Sequence, residues 1–100
     1  MQKDKLEKLK KIKKDLQKEG FIIDGIVGSF VKSDIYNDID IVYHLESEFL
    51  EKYQGFSAIN RLEEIRNLLR NLLDSEIDLI DRDYTNKIMK NVISRDMTNV

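Results

Sequence analysis

The sequence predicts a small α/β (α+β) domain: a three-stranded mixed sheet with helices, in the order α-β-(turn)-β-α-β-α. Three observations predict it. Two long segments repeat apolar residues every three or four positions, the period of an amphipathic helix. Three short segments rich in β-branched residues are either continuously apolar or alternate, as strands do. The two kinds of segment succeed one another along the chain, the pattern of a layered domain in which helices cover a sheet.

Residues 3 to 18 carry Leu6, Leu9, Ile12 and Leu16 at helical spacing, and Gly20 stands where a left-handed helix stop is expected. Residues 21 to 27, Phe-Ile-Ile-Asp-Gly-Ile-Val, read as a buried strand. Gly28-Ser29 breaks it, and a turn or single helical turn is expected over residues 29 to 36. Residues 38 to 44 alternate. Asp38, Asp40, Val42 and His44 share one predicted face, and Ile39, Ile41 and Tyr43 the other. Residues 46 to 56 read as a loop or short helix. Ser57 is the expected N-cap of a helix to about Leu73, with Leu62, Ile65, Leu69 and Leu72 as its stripe and Ala58, Leu68 and Leu73 widening it. Residues 76 to 81 form the third strand. Thr85 or Asp83 is expected to cap a last helix that turns Ile88, Met89, Val92 and Ile93 inward. The first two strands are joined by about ten residues, too few for an ordinary parallel crossover, so that pair is expected to be antiparallel. The second and third are joined through a helix and can run parallel.

The chain has 100 residues, a length that suits one domain over residues 1 to 100. With 41% hydrophobic and 36% charged residues it reads as soluble and globular rather than disordered. A net charge of −2 gives no global pull towards nucleic acid, which is not expected as a partner. The absence of cysteine excludes a disulfide framework and any thiolate metal site, and it suits a reducing, cytoplasmic setting. The lysine-rich start lacks the apolar core of a signal peptide, and no apolar run reaches the ~20 residues of a membrane span. No membrane partner is expected.

The chemistry is concentrated between residues 28 and 40 and at Asp78. Two carboxylates at i and i+2 on a strand point the same way, so Asp38 and Asp40 can converge on one hard cation. Magnesium takes oxygen ligands and leaves positions for water and substrate phosphate. Glycine at 28 allows a phosphate to approach the backbone, and the Ser29 hydroxyl and nearby N–H groups can bind its oxygens. Asp78 lies between Ile77 and Leu79 in the third strand. Should that strand lie beside the second, Asp78 joins the pair, as a ligand to a second metal or as acceptor of a proton from an attacking hydroxyl. Glu76 on the same face and Asp81 and Asp83 beyond it are rivals for that place. Taken singly, Gly-Ser and Asp-x-Asp are common in solvated turns; the combination with a third acid in a neighbouring strand is what carries the signal.

These residues resemble the signature of the DNA polymerase β-like nucleotidyltransferase superfamily: Gly28-Ser29, a spacer, Asp38-Ile39-Asp40 and the later lone Asp78. Over roughly residues 5 to 95 the chain resembles its minimal branch, the minimal nucleotidyltransferase (MNT) domain. The resemblance implies a polymerase-β-like fold with Gly28 and Ser29 on the triphosphate of ATP and Asp38, Asp40 and Asp78 as the carboxylates that hold one or two magnesium ions. It also implies transfer of a nucleoside monophosphate to an acceptor hydroxyl. Members of that branch are often encoded beside a HEPN-type toxin, and some neutralise it by adenylylating a tyrosine. The expected partner is therefore such a toxin, the expected role that of an antitoxin, and homo- or hetero-oligomers are compatible with it. The alternatives are a degenerate member that neutralises a toxin by contact alone, and a transferase acting on RNA or a small molecule. Two departures stand out. The spacer between Ser29 and Asp38 is shorter than is usual, and Lys32 and Ser33 stand where arginine and glycine are common. Lys32 still offers a cation to phosphate, though as a point charge.

Other polar residues read more plainly. His44 shares the aspartate face but sits roughly 13 Å along the strand from Asp40, so a structural or surface role is expected. Tyr36 and Asn37 suit a turn. The lysines of the first helix, diluted by Asp4, Glu7, Asp15 and Glu19, read as a solvated face.

Overall fold

The computed structural model describes residues 3–27 and 38–100, with Asp38 described by its backbone alone. Within them the chain forms α1 (Lys3–Gln17), β1 (Phe21–Val27), β2 (Asp38–Leu45), α2 (Ser47–Lys52), α3 (Phe56–Leu73), β3 (Glu76–Asp81), α4 (Lys87–Asp96) and β4 (Thr98–Asn99). The strands make one sheet in the order β3-β2-β1-β4. The expected mixed sheet is therefore present, with four strands rather than three. β1 and β2 are antiparallel, β2 and β3 parallel, and the added β4 runs antiparallel to β1. A two-residue strand has no alternation to read in the sequence. It exists because Met97 and Val100, beside it, pack against the two cores.

The sheet is covered on both faces. On one, Ile39, Ile41 and Tyr43 of β2 and Ile77 of β3 meet Leu9 and Leu16 of α1, Phe49 of α2, and Ile65, Leu69 and Leu73 of α3. Phe21 stacks on Tyr43 with ring centroids 4.7 Å apart, and Phe49 joins at 6.4 Å from Phe21. Burial, and to a lesser degree the charge of Asp81, pushes the Tyr43 phenol up to about 12, so it stays neutral at physiological pH. The other face is only partly covered by the described residues. Val27 and Val42 pack with Ile93 of α4, flanked by Ile80, Met89 and Val92. Alternation in β2 thus serves two cores: odd positions enter the larger, and Val42 the smaller.

Local chemistry explains most element ends. Gly20 has φ +90°, the expected left-handed stop, and a Cβ there would come within 2.6 Å of the Phe49 backbone nitrogen. α3 begins one residue before Ser57, with Gly55 as N-cap at φ 59°. The Ser57 hydroxyl instead accepts from the Gln54 N–H and donates to the Gln54 carbonyl, closing the preceding turn. It ends on Asp74, a C-cap in the left-handed region at φ 50°. α4 is capped by Asn86, whose side chain accepts from the Met89 N–H 2.8 Å away, not by Thr85 or Asp83. Ile88 is 78% exposed and Leu68 41% exposed, so neither joins the core as its spacing suggests. Ile93 is buried as expected, with Met89 and Val92 half-buried.

At Gly25 the antiparallel register of β1 slips. Ile23 opposes Tyr43 and Gly25 opposes Val42, which leaves Asp24 as the extra residue of a bulge. Gly25 is also where β4 closes in: a Cβ would lie 2.4 Å from the Thr98 carbonyl oxygen and 2.8 Å from Met97.

Candidate active site

The parallel ladder between β2 and β3 sets the geometry of the acids. Asp38 opposes Glu76, Ile39 opposes Ile77, and Asp40 opposes Asp78. Ile39 and Ile77 are buried under the helices, so the intervening positions face the other way, beyond the reach of α1 and α3. Asp40 is half-buried there and Asp78 exposed. Directly opposed residues of adjacent strands bring their side chains close enough to share one ligand. The third strand does lie beside the second, which was the condition for Asp78 to join the pair. Asp78 lies between apolar neighbours in sequence but is itself exposed, so it carries no burial cost that a partner must offset.

Gly28, Ser29 and Lys32 lie outside the described residues, as do Ser33, Tyr36, Asn37 and the turn expected over residues 29 to 36, and so does the side chain of Asp38. Among the described residues no group of three or more histidine, aspartate or glutamate side chains is disposed to hold a metal. What is described of the candidate constellation is the Asp40–Asp78 pair, with Asp38 entering the ladder opposite Glu76. The donors are all carboxylates, the set a hard divalent cation takes.

Glu76 is the acid whose position the sequence left open. It is exposed on the face of Asp78, at the end where β2 and β3 begin. A cleft of about 360 Å³ opens there, lined by Arg70, Asn71 and Asp74 at the end of α3 and by Ser75 and Glu76. Asp81 and Asp83 turn away from this site: Asp81 Oδ1 accepts from the Asp83 N–H at 2.9 Å, holding the turn after β3.

At the far end of the strands His44 Nδ1 lies 2.8 Å from Asp24 Oδ2, and Arg82 donates to Asp24 Oδ1 at 3.2 Å. The β1 bulge makes this cluster possible, since Asp24 is the residue it releases from the ladder. His44 therefore has the structural role expected of it, with a partner that sat unnoticed inside an apolar run.

None of the described helices is long and apolar enough to cross a membrane. No protein-family model matches the chain, and no curated protein matches it in sequence. Its fold does match a solved one, described as "Structure of putative minimal nucleotidyltransferase", with a TM-score of 0.61 and 16% identity over 95% of each chain. At that identity the likeness speaks for the fold: this chain has the α+β fold of that structure across nearly its whole length.

Proposed function

We propose that the protein is a magnesium-dependent nucleotidyltransferase that moves AMP from ATP to an acceptor hydroxyl. The observation that carries the reading is the parallel register Asp40–Asp78, one step from Asp38, on the sheet face away from α1 and α3. Three acids at these positions are an oxygen-donor set that suits magnesium, and the fold is shared with a structure described as a "putative minimal nucleotidyltransferase".

In this reading Asp38, Asp40 and Asp78 would hold one or two magnesium ions, which supply charge neutralisation for the transferring phosphate. Gly28, Ser29 and Lys32 bind the triphosphate. Asp78 takes up the proton of the acceptor hydroxyl as its oxygen bonds to the α-phosphorus. The bond from that phosphorus to the bridging oxygen breaks, and pyrophosphate departs with its electron pair. Catalysis is by positioning and charge, and no covalent enzyme intermediate is needed. The acceptor we favour is a tyrosine of a HEPN-type toxin, which the transfer would neutralise; this follows from the resemblance of the signature residues.

The test is incubation with labelled ATP, magnesium and a HEPN protein. Label on the partner, lost in Asp38→Asn and Asp40→Asn, supports the proposal. A tight complex without label, unchanged by those substitutions, points instead to neutralisation by contact, and label on RNA alone to a different acceptor.

A further inference from the structure

Two surfaces of the helical layer stand open among the described residues, and they differ in sign. The first is a groove of about 290 Å³ between α1 and α3, lined by Lys8, Lys11, Ile12, Asp15 and Leu72. Lys8, Lys11, Ile12 and Asp15 follow one another at helical spacing and so share a face of α1. Leu68, one turn before Leu72, is exposed beside it. Lys8 and Lys11 are exposed and in no ion pair among the described residues, and Asp15 alone opposes them in the groove. They belong to a wider surplus: α1 has seven lysines against three acids, in a chain whose net charge is −2. The rest of the chain is therefore acidic.

The second surface is the elbow between α2 and α3. Leu50, Phe56 and Ile59 are exposed there, Phe56 by 85%. Phe56 and Ile59 are one turn apart in α3 and lie side by side. Three large apolar side chains so open on one elbow mark a contact surface rather than the scatter of an ordinary exterior. Glu46, Glu48 and Glu51 are exposed and in no ion pair among the described residues. Lys52, the one cation of α2, turns to the Tyr53 ring, 5.5 Å from its centroid.

One surface is thus apolar with a cationic rim, the other apolar with an anionic rim. They cannot meet within one chain. The Glu19–Arg61 pair sets the end of α1 beside the start of α3, so the groove lies towards the far end of α3. Phe56 and Leu72 stand about 24 Å apart along α3 at the helical rise.

We infer that the groove receives the α2–α3 elbow of a second copy of this chain, with Phe56 entering between Ile12 and Leu72 and the α2 glutamates meeting Lys8 and Lys11. A nucleic-acid strand would satisfy the lysines but leave Ile12, Leu68 and Leu72 in water. Because the two faces differ, the contact is head-to-tail rather than two-fold, and each copy keeps one face free for the next. Both faces belong to the helical layer, on the side of the sheet away from Asp40 and Asp78, so the contact is independent of whatever chemistry those acids perform.

Sedimentation of the whole chain at rising protein concentration tests it, at about 0.1 M and about 1 M salt, where charges are screened beyond about 10 Å and about 3 Å. Species larger than the monomer are expected at the lower salt, with association weaker by about fivefold or more at the higher, the scale of one or two exposed ion pairs. Lys8→Glu with Lys11→Glu breaks the groove, and Phe56→Ser breaks the elbow. All three positions are exposed, so melting temperatures should match the wild type. Each variant alone is expected to be monomeric. Mixed, one supplies an intact elbow and the other an intact groove, so they should form a one-to-one dimer and nothing larger. A wild-type chain that stays monomeric up to about 1 mM, association indifferent to salt, a variant that still associates by itself, or a mixture that stays monomeric would each overturn the inference.

Discussion

Asp78 and Glu19 show how differently two carboxylates can be used in one small fold. Asp78 is exposed, opposes Asp40 and makes no side-chain hydrogen bond or ion pair among the described residues, so its removal should cost chemistry and not stability. Asp78→Asn is expected to lower AMP transfer by at least ~100-fold, the scale of a lost general base, with an unchanged melting temperature. Wild-type turnover in that variant would remove Asp78 from the mechanism. Glu19 is the converse. Arg61 Nε and its NH2 group donate to the two Glu19 oxygens at 2.7 and 2.8 Å, a bidentate pair tying the end of α1 to α3. The hydrogen bond from Arg61 is the largest cause that holds the Glu19 carboxyl below its usual 4.5; burial opposes it and the Arg61 charge adds to it. A lowered folded-state pKa means stability that is present above pH 4.5 and lost as pH falls through the folded value. Glu19→Gln should therefore lower stability by about 1 kcal/mol at neutral pH, a modest figure for a pair that water still reaches. The gap from wild type should close in melts taken progressively below pH 4.5. A gap independent of pH would mean that the pair contributes only packing.

The elements differ in how far the sequence specifies them. β1 and β3 have the predicted bounds, because a run such as Phe-Ile-Ile-Asp-Gly-Ile-Val or Glu-Ile-Asp-Leu-Ile-Asp has one buried solution between turn signals. Connection lengths favoured the antiparallel β1–β2 pair but only allowed a parallel β2–β3 pair, which the fold then adopts. That pairing sets Asp40 opposite Asp78, the adjacency on which the candidate site was conditional in the sequence. Caps and edges were not legible. Asn86 outcompetes Thr85 and Asp83 because it alone sits three residues before a helical N–H that its side chain accepts from, and hydroxyl, carboxylate and amide candidates look alike until the backbone is placed. The β1 bulge, and with it the Asp24–His44–Arg82 cluster, arises from a register slip that alternation in one strand does not encode. β4 depends on a long-range approach to Gly25. Gly25→Ala should drive β4 from the sheet, since Thr98 backbone stands 2.4 Å from the new methyl. The expected readout is fast hydrogen exchange at Ile26 and Thr98 and a melt lowered by about 1–3 kcal/mol, as for other overpacked sites. Protection equal to wild type would show that β4 stays paired and that the close approach at Gly25 does not require glycine.

At the scale of the whole molecule, one large core and one small one clamp the sheet from opposite faces, and the described residues cover the second face only in part. α1, α2 and α3 bury Ile39, Ile41 and Ile77 from one side. α4 covers only Val42, Ile80 and their neighbours on the other, and so stops short of Asp40 and Asp78. That division sets Asp40 and Asp78 on a rigid base and leaves Asp78 exposed among the described residues, an arrangement that suits positioning chemistry. In the proposed function the start of β2 and β3 gathers Asp38, Asp40 and Asp78 into one site for a divalent ion on a nucleotide. The direct measurement is paramagnetic detection of manganese bound to the protein with a non-hydrolysable ATP analogue, in wild type and in Asp38→Asn, Asp40→Asn and Asp78→Asn. Manganese binding is expected to depend on the nucleotide and to weaken by about tenfold or more in each variant, the scale seen when a metal site loses a group that supports the ion. Manganese bound equally by wild type and all three variants, or not bound at all with the nucleotide present, would contradict it.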